Sequence, residues 1–185
     1  MMAISSTSET FKFPSIHQDY PPLFTLQLTA SSKQSQLARW SRLIQRYCRH
    51  HKIFRLAIVD YQDSDLFNNR KLNKKLYPKD IKEVLEYMVS VDGGQRAEWA
   101  TKDKASAWIY WRRPEEWALS IANWVDETGQ KNSVLTLYEL VEGDATEDQE
   151  FHGMDMEVLR KGLAVLAKQG KAQVFGGEGE GVKFF

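Results

Sequence analysis

Apolar side chains recur at helical spacing in four stretches of the chain. The first begins at Ser31-Ser32, which read as its cap, and runs to about His50. Leu37, Trp40, Leu43, Ile44, Tyr47 and Cys48 form its buried stripe. The second opens at Pro78 and Asp80, carries Ile81, Val84, Leu85, Met88 and Val91, and stops at Gly93-Gly94. The third starts at Pro114, whose missing N–H would have been an orphan in a first turn anyway. Glu115 and Glu116 complement its dipole, Trp117, Ile121, Trp124 and Val125 make its stripe, and Gly129 ends it. Asp155 caps the fourth, with Met156, Leu159, Leu163 and Leu166 facing inward.

Between these helices the period changes. Residues 54–59 read as a strand, and residues 97–99 and 108–111 as a hairpin. The aromatic and β-branched run Trp108-Ile109-Tyr110-Trp111 predicts a strand buried on both faces. Asp63-Ser64 opens a short helical stretch through residues 66–69, followed by the basic segment 70–75. Residues 134–136 make a short strand, residues 137–140 a helical turn, and residues 172–175 and 182–185 a closing hairpin.

This order occurs twice. A shift of 75 places Asp80 on Asp155, Ile81 on Met156, Val84 on Leu159, Met88 on Leu163, Ala97 on Ala172 and Trp99 on Val174. A shift of 77 places Trp40 on Trp117, Ile44 on Ile121, Tyr47 on Trp124 and Cys48 on Val125. A long period built from helix, strand, helix, helix and hairpin predicts an α+β (mainly α) fold of two tandem winged-helix domains from an internal duplication. The corresponding division is an N-terminal arm over 1–30, a first winged helix over 31–112 and a second over 113–185.

Composition narrows the function. The 185 residues are 42% hydrophobic and 27% charged, as in globular proteins. One cysteine, Cys48, excludes an internal disulfide and predicts an intracellular chain. No apolar run approaches the roughly 18 residues of a membrane span, and MMAISSTSET lacks the pattern of a signal peptide. Net charge is zero, yet residues 1–112 carry 18 basic and 11 acidic side chains, a balance of +7. Residues 113–185 carry 7 and 14, a balance of −7. Two halves of opposite sign suit different partners, the second a basic one.

Candidate chemistry is sparse. A winged helix suggests duplex DNA, since its third helix often enters the major groove. Here those helices carry Asp80, Lys82, Glu83 and Glu86, and Asp155, Glu157, Arg160, Lys161 and Lys168, so neither is a basic reading face. Arg39, Arg42, Arg46 and Arg49 give the first helix a basic outer face, which reads as solvated. His50 and His51 are adjacent and point about 100° apart on a helix, a poor metal pair. The acidic loop 143–150 lacks the alternating ligands of a calcium loop. His152 lies near Glu150 and Asp155, but no second ligand pair has metal spacing. The glycine-rich turn 176–181 has no phosphate-loop ending, and its two glutamates would repel phosphate. No cofactor, metal, small-molecule substrate or catalytic set is indicated, and the chain reads as a non-enzyme.

The first ten residues are rich in Ser and Thr and read as disordered. Beyond them Phe11, Phe13, Tyr20 and Phe24 punctuate an arm in which Pro21-Pro22 predicts extended, polyproline-like backbone. Such an arm either lies over its own domain or inserts aromatic rings into another subunit.

YPPLFTLQ, LFNN followed by KL and a basic pair, WRRPEEW, TLYEL, EDQEFHG and the terminal GVKFF closely resemble the vacuolar protein sorting-associated protein 25 family, the small subunit of ESCRT-II. The resemblance runs from about Phe13 to the last residue and implies two tandem winged helices. It implies two copies of this chain on one copy each of two larger ESCRT-II subunits, in a cytoplasmic complex peripheral to the endosome membrane. A proline-aromatic motif on Pro21, Pro22, Leu23 and Phe24 would bind the larger subunits, as would Lys74, a lysine where arginine is common. The second winged helix would bind an ESCRT-III subunit, so that ubiquitinated membrane proteins are sorted into multivesicular bodies. Membrane contact would be indirect. Val134 and Leu135, edged by the acidic loop, are the residues read as the ESCRT-III surface. The alternative is a winged-helix nucleic-acid-binding or transcription-associated protein.

Overall fold

A computed structural model describes residues 9–177 and 179–185. The disorder expected for the first ten residues therefore falls, for 1–8, outside the described residues, as does one of the two tail-turn glutamates, Glu178. The chain forms two compact units, 1–109 and 110–185.

In the first unit a short helix α1 (Ser15–Asp19) and a 3-10 turn (Pro21–Phe24) precede the long helix α2 (Ala30–His51). Strand β1 (Arg55–Ala57) leads into a single-turn helix α3 (Ile58–Tyr61). A two-residue ladder, β2 (Asn68–Asn69) with β3 (Lys74–Lys75), comes before α4 (Pro78–Val89). Strands β4 (Ala97–Trp99) and β5 (Ser106–Ile109) close the unit. The main sheet is antiparallel, ordered β1-β5-β4, with Leu56 and Trp99 both opposite Ala107. Trp40, Ile44, Cys48, Leu56, Phe67, Ile81, Leu85 and Met88 are fully buried between α2, α4 and this sheet.

The second unit has α5 (Pro114–Thr128), β6 (Val134–Thr136), α6 (Leu137–Glu142), α7 (Met156–Lys168), β7 (Ala172–Phe175) and β8 (Gly181–Phe184). Its antiparallel sheet is ordered β6-β8-β7. Strand for strand this matches β1-β5-β4, and α5, α6 and α7 occupy the places of α2, α3 and α4 in the order. Trp117, Ile121, Leu140, Phe151, Leu159 and Leu163 fill the core, where α5 packs on α7.

Local signals account for the helix ends. Pro78 and Pro114 each occupy a first helical position. The Glu116 carboxylate accepts from the Arg113 backbone N–H at 2.6 Å, satisfying one orphan donor. Asp155 accepts from the Glu157 N–H at 2.8 Å. Thr136 and Glu139 bond reciprocally, the Glu139 N–H donating to the threonine hydroxyl at 3.0 Å and the Thr136 N–H to the carboxylate at 2.6 Å. Those bonds to Thr136 hold the Glu139 carboxyl below its ordinary range. Gly129 takes a φ of 68°, the left-handed conformation expected of a glycine C-cap.

Several expectations are corrected. The long helix begins at Ala30 after Thr29, so Ser31 and Ser32 lie inside its first turn and do not cap it. Strand residues 58–59 belong instead to α3, and the stretch around residues 66–69 forms turns and a ladder with β3. In that stretch local preference yields to burial of Leu66 and Phe67. Helix α4 ends at Val89, before Val91, which is 81% exposed. Met156 is only half-buried; Met154 and Val158 take the inward positions. The strand through Trp108 starts at Ser106 and ends at Ile109, and Trp108 is half-buried under the Arg55 guanidinium, 5.7 Å from its ring.

Candidate partner-binding site

The proline motif is not extended. Pro21–Phe24 closes a 3-10 turn in which the Leu23 N–H donates to the Tyr20 carbonyl at 3.1 Å. Leu23 and Phe24 are each only 3% exposed, within their own unit. Phe24 packs edge-on against Trp40, with ring centres 5.6 Å apart. Of the four motif residues, Pro21 and Pro22 face solvent, beside Tyr20 at 50% exposure. This corrects the extended arm: Phe24 finds cover because the turn folds it back onto α2, while Tyr20 stays exposed.

Polar side chains hold the arm there. The Gln36 amide donates to the carbonyls of Leu23 and Thr25, both at 2.9 Å, and its oxygen accepts from the Gln27 N–H at 2.9 Å. The Trp40 indole N–H donates to the Leu23 carbonyl at 3.0 Å. Asn69 donates to the His17 carbonyl at 2.6 Å, and the His17 ring bonds the Leu66 carbonyl at 2.9 Å. His17 stacks on Phe13, with ring centres 4.2 Å apart. Sequence reasoning missed Gln36, Asn69 and His17. The available signal was a polar residue, Gln36, one turn before Trp40 on the apolar stripe.

Burial lowers the affinity of His17 for a proton, against smaller opposing effects of Leu66 and Asp65. A base whose folded pKa lies below its usual 6.5 stabilises the fold in its neutral form. Its contribution is complete above that value and is lost as pH falls through the lowered pKa. The midpoint of urea unfolding should therefore drop on acidification. In His17→Gln, which keeps an amide donor but does not titrate, the drop should shrink. His51, also lowered by burial and by His50, supplies a remainder. An identical pH profile in both proteins would refute the assignment to His17.

The 3-10 turn packs against β3, which brings the exposed Lys74 onto the element next to Pro21 and Pro22. Lys74 has no ion-pair partner among the described residues. Its neighbour Lys75 pairs with Asp63 at 2.8 Å, and Lys71 pairs with Asp19 at 2.9 Å. Tyr77 adds a ring 62% exposed.

In the second unit Val134 is 62% exposed on the edge strand β6, and Leu135 is half-buried. Tyr138, in α6, is 65% exposed. The acidic loop begins as a 3-10 turn (Asp144–Thr146) packed on α6. Glu150 accepts from the Arg112 guanidinium at 2.5 Å, and His152 shares a 3.0 Å hydrogen bond with the fully buried Thr146. These are structural roles. Cys48 is likewise core, and burial pushes its thiol pKa up. Among the described residues, no three or more His, Cys, Asp and Glu side chains gather as a metal site. No described helix is long and apolar enough to cross a membrane.

A sequence model of the ESCRT-II complex subunit family matches residues 17–155. Vacuolar protein-sorting-associated protein 25 of Bos taurus is 46% identical over 167 residues, covering 90% of this chain and 93% of that protein. The chain belongs to the vacuolar protein-sorting-associated protein 25 family of ESCRT-II subunits. The Dictyostelium discoideum member is 36% identical over 195 residues, 97% of this chain and 98% of its own. The crystal structure of subunit VPS25 of the endosomal trafficking complex ESCRT-II superposes with a TM-score of 0.79 at 26% identity, covering 92% of this chain and 97% of that one. A chain in the crystal structure of the endosomal complex ESCRT-II (VPS22/VPS25/VPS36) gives the same score and identity, over 93% and 98%. Within this ESCRT-II subunit family, the mixed helix-and-sheet architecture of the chain is thus shared nearly end to end.

Proposed function

We propose that the chain is a non-catalytic scaffold of an ESCRT-II complex, joining two larger subunits to an ESCRT-III subunit in the sorting of ubiquitinated membrane proteins into multivesicular bodies. The observation that carries this reading is the near-complete coverage of both chains in the match to VPS25 proteins, one of them solved with VPS22 and VPS36. The two units are tandem winged helices from a duplication, a reading supported by their shared element order and strand order. The domains are an arm over 1–30 and winged helices over 31–112 and 113–185, which would act in the cytoplasm and reach the endosome through the complex.

In this reading the larger subunits contact the arm through Pro21 and Pro22, with Lys74 beside them for an acidic partner residue. Leu23 and Phe24 serve by holding the turn in shape. The ESCRT-III subunit contacts Val134 and Leu135. Nucleic-acid binding loses support on the helix α7, where Arg160 is already paired with Glu157 and Glu180.

Co-expression with the two larger subunits should yield a complex with two copies of this chain to one of each. Failure to co-purify would overturn the assembly role. In that complex Val134→Ala with Leu135→Ala should weaken capture of the ESCRT-III subunit at least tenfold, about 1.4 kcal/mol. Unchanged capture would remove these residues from the interface.

A further inference from the structure

The outer face of α2 carries side chains that the assembly role leaves unused. Arg39, Arg42 and Arg46 stand at i, i+3 and i+7, so their side chains lie on one face, and all three are exposed. Together with the arm they enclose a groove of about 290 Å³ lined by Pro14, Ile16, Leu23 and Leu43 as well as the three arginines. A second hollow of about 370 Å³ shares Ile16, Leu23 and Arg39, borders Tyr20 and Pro22 at the corner given to the larger subunits, and continues past Ser31, Ser32 and Ser35. The recess thus has an apolar floor, a cationic rim and hydroxyl groups at one end.

Two of the three rim guanidiniums are uncommitted. Arg39 and Arg42 have no ion-pair or hydrogen-bond partner among the described residues, and Arg46 lies over the Phe11 ring at 6.0 Å. Arg112 and Arg160, by contrast, are tied to carboxylates within the fold. Unpaired guanidiniums in a row around an apolar hollow have the chemistry of a receptor for carboxylates carried on a chain. A flat bilayer cannot enter a concave recess, whereas a single side chain can.

We propose that this groove docks an acidic linear segment of another protein, with an apolar anchor side chain seated between Ile16, Leu23 and Leu43 and flanking carboxylates on Arg39, Arg42 and Arg46. The inference goes beyond the assembly role, and the two fail separately. Co-purification reads the complex, whereas peptide binding reads the chain alone.

The test uses the full chain and a fluorescein-labelled dodecapeptide of aspartate and glutamate around a central leucine. Anisotropy should report binding that weakens with salt, and amide shifts should move at Ile16, Leu23, Arg42 and Leu43. Arg39→Glu with Arg42→Glu should weaken binding at least tenfold. Lys79→Glu with Lys82→Glu, the same charge change on the exposed face of α4, should leave it within twofold. Replacing the central leucine by serine should also weaken binding. Equal losses in both double variants, shifts located elsewhere, or capture by phosphatidylserine vesicles without peptide binding would each overturn the proposal. Circular dichroism identical to the parent keeps a loss of binding from being a loss of fold.

Discussion

Trp40→Ala should lower the stability of the first unit by about 4 kcal/mol, enough to leave a domain of ordinary stability largely unfolded at modest urea concentrations. Trp40 is fully buried and its ring meets Phe24 at 5.6 Å, Phe67 at 5.8 Å and His17 at 6.3 Å. Its removal opens a cavity that three elements would have to collapse into, and rigid aromatic neighbours collapse poorly. The same substitution deletes the indole donor to the Leu23 carbonyl. The arm should therefore loosen as well, because Gln36 alone would remain to hold the 3-10 turn from α2. Urea unfolding followed by circular dichroism measures the first effect. Amide exchange at Leu23 and Phe24 measures the second, and protection there equal to that of the parent would refute the coupling. Trp40→Phe should recover about half of the loss, since it restores ring volume but not the hydrogen bond.

Gly93→Ala should cost about 3 kcal/mol, unusual for adding one methyl group at a half-buried loop position. A Cβ at residue 93 would stand 1.9 Å from the Tyr87 carbonyl oxygen and 2.7 Å from its carbon, far inside van der Waals contact with backbone. The turn cannot easily step aside. The Gly93 N–H donates to the Ser90 hydroxyl at 3.2 Å, that hydroxyl donates to the Tyr87 carbonyl at 2.6 Å, and the Gln95 N–H reaches the Ser90 carbonyl at 3.0 Å. Gly94→Ala is the control. Its φ of 75° makes alanine strained, but its Cβ meets only the flexible Arg96 side chain at 3.9 Å, so its cost should be about 1 kcal/mol. Thermal melts of the two variants should differ by several degrees, and equal melts would show that the loop relaxes freely.

The two glycines separate what a sequence reader sees from what the fold requires. Gly93-Gly94 is visible as the end of an apolar stripe, and that reading located the loop. It could not show that the helix already stops at Val89, or that Gly93 is forced by a carbonyl six residues back. The same division runs through the candidate site. Pro21-Pro22 is legible as a break in the arm, and the two prolines do form one exposed corner. Its backbone was misread because proline fits both polyproline and the first positions of a 3-10 turn. The choice was made by burial of Leu23 and Phe24 against Trp40, a contact 16 or more residues away that no local pattern encodes. Gln36, Asn69 and His17 were illegible for the same reason: a polar side chain in a core is explained only by the carbonyls it meets.

The sequence by itself determined the four amphipathic helices, the doubled order of elements and the opposite charges of the two halves, because each of these is written in spacing and composition, and its motifs carried the resemblance to the family. Only the tertiary structure decided that the arm folds back onto α2, that Pro21, Pro22 and Lys74 come to neighbouring elements, and that three arginines rim an apolar groove. Those are juxtapositions of residues distant in the chain. Their physical cause is the burial of side chains whose partners are chosen by packing and not by sequence separation.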